Sequence, residues 1–104
     1  MTTKPRRCSS RWLDSDCPNG VLAILDDART CDRYTVLYCD VFDGHLSYVA
    51  MSANPFHPQG FGQHGEMTTY HAAAYRYANK HHYARWSDLP ADCKRLVRQD
   101  LATT

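Results

Sequence analysis

The chain has 104 residues, 43% of them hydrophobic and 22% charged, with a formal charge of +1 at neutral pH. That length holds one domain with a single modest core and excludes a cofactor fold of the Rossmann type with a separate substrate domain. The composition excludes a disordered polyelectrolyte, and no apolar run approaches the roughly 20 residues needed to span a bilayer.

In chain order, residues 1–18 have no hydrophobic periodicity and read as a flexible N-terminal arm, with residues 19–104 forming a single α+β domain. The basic residues near Met1 are not followed by an apolar segment, so the start is not a secretory signal and the expected location is the cytoplasm. Asn19-Gly20 is a turn signal, and the apolar run Val21 to Leu25 is short and β-branched enough to favour a strand. Arg33 to Cys39, rich in Tyr, Thr and Val, is the clearest strand, and His45 to Met51 is its partner across the tight turn Asp43-Gly44. Three strands in succession with short polar connections make an antiparallel meander whose apolar face needs a cover.

The cover is expected from the C-terminus. Ser87-Asp88-Leu89-Pro90 marks a helix start, and Leu89, Cys93, Leu96, Val97 and Leu101 then fall on one stripe at helical spacing. A second helical segment is expected from about Thr69 to Asn79, where alanines dominate. Between the strands and these helices lies residues 54–66, a loop with two prolines, three glycines, two phenylalanines, two histidines and two glutamines. It is too broken for a helix and too aromatic for a tether, so it reads as an ordered surface. The fold expected is therefore a three-stranded antiparallel meander covered by a C-terminal helix, with this ordered loop and the second helical segment.

Five cysteines (Cys8, Cys17, Cys31, Cys39, Cys93) with no CxxC pair fit reduced thiols better than a disulfide framework. Cys39 and Cys93 are expected to behave as small buried hydrophobes. The near-zero net charge hides a segregation, with +4 over residues 1–11, −6 over 12–66 and +3 over 67–104. Such a separation can orient a charged partner.

The same residues bear on metal, acid–base and binding chemistry. His57, His64 and His71 recur every seven positions, followed by His81 and His82, but six intervening residues across a Pro/Gly loop do not enforce the tetrahedral convergence zinc requires. No metal or cofactor is expected. Glu66 beside His64, with Asp40 and Asp43, offers a His–carboxylate pair, yet no nucleophile motif accompanies it, so catalysis ranks behind binding. Residues 67–87 carry Arg76, Lys80 and Arg85 with no acid, interleaved with Tyr70, Tyr75, Tyr77, Tyr83 and Trp86. Cations among aromatics can stack bases and neutralise phosphates, and they also describe a protein–protein hot spot. The small net charge favours the protein partner. The expected binding residues are His57, Gln59, Phe61 and His64 of the loop, with Arg76, Tyr77, Lys80 and Arg85 adding charge and stacking.

Three stretches, Asp32 to Val36, Met51 to His64 (MSANPFHPQGFGQH) and Leu89 to Cys93 (LPADC), resemble a set of small uncharacterised proteins of phages, prophages and environmental bacteria. The likeness spans roughly residues 20–101 and is most specific in the central loop; Met67 to Trp86 departs from it. The resemblance implies context rather than mechanism: small proteins of this kind bind a host protein or nucleoprotein complex, inhibition of bacterial immunity by anti-CRISPR proteins being one example. A nucleic-acid-binding module and a His-dependent metal or acid–base enzyme are the alternatives.

Overall fold

The computed structural model describes residues 16–28 and 30–102. Most of the expected N-terminal arm lies outside them; of its last residues, Cys17 is buried in the core. The described chain forms β1 (Val21–Asp26), β2 (Tyr34–Phe42), β3 (His45–Met51), β4 (Gly62–Thr68), helix α1 (Thr69–Ala78), a short 3₁₀ turn (Trp86–Asp88) and helix α2 (Ala91–Ala102). The strands make one antiparallel sheet in the order β1-β2-β3-β4.

The hairpin between β2 and β3 forms where the sequence marks it. Asp43 and Gly44 both take positive φ (53° and 74°), as the right-handed twist of a two-residue hairpin demands. In β2 six successive residues, Tyr34 to Cys39, are buried. A strand without alternation has both faces covered, and two clusters bear this out. Val21, Ile24, Val36, Val49 and Met51 pack with Trp86, Leu89, Cys93 and Val97 on the α2 side. Ala23, Leu25, Leu37 and Leu46 pack with Ala72, Tyr75 and Tyr83 on the α1 side.

This corrects the expected meander in two ways. There are four strands rather than three, because Gly62 to Thr68 pairs in unbroken register with β3 from Met51↔Gly62 to His45↔Thr68. Its composition, GQHGEMT, hides the strand: an outermost strand that is largely exposed has no apolar alternation to display. The expected loop 54–66 thus ends at Phe61. The second correction is that the sheet is covered on both faces, α2 on one and α1 on the other.

Helix α1 starts where Thr68 caps it, its hydroxyl accepting the His71 N–H at 3.0 Å. It ends at Ala78 with Asn79 as its C-cap, close to the expected limit. The chain then returns to β1: Leu25 bridges Tyr83, the Asp26 N–H donates to His82 O (2.8 Å), and the Ala84 N–H donates to Ile24 O (2.9 Å). Cys39 is disulfide-bonded, whereas Cys17, Cys31 and Cys93 are free. The expectation of reduced thiols throughout fails at that residue, since an odd count leaves a thiol over without forbidding one bridge. No helix among the described residues is long and apolar enough to cross a membrane.

Candidate functional site

The turn joining β3 to β4, residues 52–61, is closed by its own hydrogen bonds. At its base the Ser52 N–H donates to Phe61 O (3.0 Å), and the Ser52 hydroxyl accepts the Phe61 N–H (3.0 Å). Within it the His57 N–H donates to Asn54 O (3.0 Å) and the Gly60 N–H donates to His57 O (2.8 Å). The Gln59 N–H donates to Nδ1 of His57 (3.1 Å), which places the proton of the neutral ring on Nε2. Gly60 is there for space: a Cβ would stand 1.9 Å from the backbone oxygen of Asn54.

Helix α2 braces the same turn from below. The Cys93 thiol donates to Ser52 O (3.3 Å) and Ala53 O (3.6 Å). Burial first, and Asp92 second, push that thiol up to about 11, so it stays a protonated donor. The Arg95 guanidinium lies 3.9 Å from the centre of the Phe56 ring, a cation–π contact. With its backbone fixed, the turn holds Phe56 and Phe61 at 40% and 38% exposure. His57, Pro58 and Gln59 are exposed beside them.

Next along β4, His64 joins a second link to α2. Its Nε2 meets both oxygens of Asp100 at 2.8 and 2.9 Å, and the Tyr38 hydroxyl donates to Asp100 Oδ2 at 2.5 Å. Tyr38 is buried, and burial followed by the bond to Asp100 raises its ionisation well above the ordinary phenol value. The carboxylate serving His64 is therefore Asp100, not Glu66, Asp40 or Asp43.

The remaining expected residues stand elsewhere. Arg76 is half-buried on α1, its Nε donating to Ala72 O (3.4 Å). Lys80 lies 4.6 Å from the ring of Tyr77, which is 73% exposed. Arg85 caps the 3₁₀ turn, its N–H donating to Asp88 (3.0 Å). Because α1 covers the face opposite α2, the eight expected residues separate into a β3–β4 group (His57, Gln59, Phe61, His64), an α1 group (Arg76, Tyr77, Lys80), and Arg85, which stands between Ala84 and Trp86 of the α2-side cluster. Of the aromatics between them, Tyr70 and Tyr77 are exposed while Trp86 is core. A depression of about 290 Å³ under α1, lined by Asp32, Thr35, Tyr48, Gln63, His71 and Tyr75 among others, contains none of the eight.

His57, His64 and His71 also diverge, to the turn tip, to Asp100 and to α1, and no metal-binding cluster of His, Cys, Asp or Glu forms among the described residues. Sequence reasoning missed Arg95, Cys93 in its bracing role, and the pair Asp100–Tyr38. The only signal for Arg95 and Asp100 was their place on α2 away from its apolar stripe. Phe42, 85% exposed at the far tip of the β2–β3 hairpin, also went unremarked. No protein-family model, curated protein or solved structure matches the chain.

Proposed function

We propose that the protein is a binding module that docks a macromolecular partner through the β3–β4 turn and the adjoining face of α2. The observation that carries this reading is the fixed turn: backbone bonds, Ser52, Cys93 and a sterically required Gly60 present two aromatic rings and an arginine at the surface in one arrangement. Aromatic and arginine side chains held rigid before contact lose little entropy on binding, which is what interface hot spots require. In the phage setting that the sequence resemblance implies, the partner is a host protein or nucleoprotein complex, and blocking a bacterial defence system is the expected use.

Affinity capture from bacterial lysate tests it. Phe56→Ala and Arg95→Ala should each weaken recovery of a specific partner by about 30-fold, the size of a 2 kcal/mol hot-spot loss. Gly60→Ala should weaken it as well by forcing the turn open. Undiminished recovery with all three variants overturns the reading. The exposed Tyr77–Lys80 pair supports a second reading, in which the α1 face stacks single-stranded nucleic acid. Affinity for single-stranded DNA would then fall steeply with salt and depend on Arg76, Lys80 and Arg85.

A further inference from the structure

The two borders of the sheet are finished differently. The outer side of β1 is covered by the segment 82–84 through the bridge at Leu25 and the two backbone bonds at Asp26 and Ala84. The outer side of β4 has no strand beside it among the described residues. Of the usual guards of a bare edge it has no Pro, no Lys and no bulge in its register with β3, and Glu66 is its one charged side chain.

Hydrogen-bond parity shows which groups face out. The bonds Ser52 N–H to Phe61 O and Thr69 N–H to Gly44 O fix hydrogen-bonded pairs just beyond either end of the β3–β4 ladder. Alternation between them makes Gln63, Gly65 and Met67 the residues bonded to β3. The backbone N–H and C=O groups of Gly62, His64, Glu66 and Thr68 therefore point away from the sheet.

From this arrangement we infer that β4 pairs with β4 of a second copy of the chain, antiparallel about a two-fold axis at Gly65, to make one eight-stranded sheet. In that register all four outward residues meet outward residues: Gly62 faces Thr68 and His64 faces Glu66, twice each. Sliding the register to centre on His64 sets two histidines opposite one another, and centring on Glu66 sets two carboxylates opposite; like charges at directly opposed positions are disfavoured. The Gly65 register opposes acid and imidazole instead. His64 and Glu66 lie two apart on the α2 face, and the two-fold axis keeps that face continuous. Nε2 of His64 is committed to Asp100, which leaves Nδ1 for Glu66 of the second copy. At the axis glycine faces glycine, so no side chains crowd the closely spaced non-hydrogen-bonded pair there.

Because the far border of each sheet is already covered, the pairing closes at two copies and does not propagate. It sets the two β3–β4 turns at opposite ends of the paired strands, about 27 Å apart over eight residue steps of roughly 3.4 Å. The inference uses the strand edge rather than the turn, so it stands or falls apart from the proposed docking function.

Sedimentation equilibrium of the purified full chain over a wide dilution series tests it. The expected wild-type result is a species of twice the 11.9 kDa chain mass that dissociates on dilution. Glu66→Pro removes one outward N–H while leaving the bonds to β3 intact, and should be folded by circular dichroism and monomeric throughout. Glu66→Lys should weaken association about tenfold by placing cation against imidazole. Amide exchange at His64 and Glu66 should slow with concentration, whereas that at Gly65, already bonded to β3, should not change. A wild type that stays monomeric overturns the inference and leaves the edge to an extended segment of another protein. A dimer indifferent to both Glu66 variants overturns it too.

Discussion

Tyr38 donates its hydroxyl to Asp100 and His64 meets the same carboxylate, so residues of β2 and β4 share one acceptor on α2. A hydrogen bond to a charged acceptor in a buried setting contributes about 1.5–3 kcal/mol. Tyr38→Phe should therefore lower stability at neutral pH by about 2 kcal/mol, measured by urea unfolding. The pH dependence follows from the sign of the shift. Burial keeps the proton on Tyr38 in the folded state beyond the point near pH 10 where an unfolded tyrosine releases it, so its contribution is full below that pH and is lost as pH rises further. Cys93 adds a contribution of the same sign, full below pH 9 and lost by about pH 11. The alkaline fall in stability should be shallower in Tyr38→Phe than in the wild type; equal slopes would show that the phenol is not held as described.

Helix α2 shows how spacing and packing differ at the scale of an element. Its apolar stripe is visible in the sequence, but the stripe does not say which member is central. Cys93 and Val97 are fully buried, while Leu96 is only partly so and lies over Gly62, whose Cβ position is 2.7 Å from the leucine Cδ2. Val97→Ala should cost about 2 kcal/mol, and Leu96→Ala, with part of its surface already in water, about 1 kcal/mol. Chemical denaturation of the two variants checks the order. Strand β4 is the complementary case: GQHGEMT, with two glycines and a single β-branched residue, has little local preference for a strand, and pairing with β3 overrides it. The hairpin at Asp43-Gly44 and the start of α1 at Thr68, by contrast, are set by backbone conformations and caps that neighbouring residues supply, and these are legible locally.

For the molecule as a whole, the sheet is the shared wall of two cores. Val36 and Leu37 are adjacent in β2 and fully buried, yet one faces α2 and the other α1. Loss of either core exposes the back of the other, so the two faces should unfold together. Near-ultraviolet circular dichroism, dominated on the α2 side by buried Trp86, and far-ultraviolet signal from both helices should give coincident transitions. An earlier helical transition would mean that α1 is a separate, weaker unit.

By itself the sequence determined the α+β class, the β2–β3 hairpin, both helices and an exposed connector placed at residues 54–66, of which the structure keeps the part up to Phe61. These depend on apolar runs, turn residues and caps whose physics acts over a few neighbouring positions. The tertiary structure alone decided the fourth strand, the covering of both faces, the seating of Phe56 under Arg95, the choice of Asp100 as the partner of His64, and the disulfide at Cys39. The separations of 36 residues from His64 to Asp100 and 62 from Tyr38 to Asp100 explain why. Such contacts are chosen by which surfaces the folded sheet brings together, and a linear pattern of residue types carries no record of that choice.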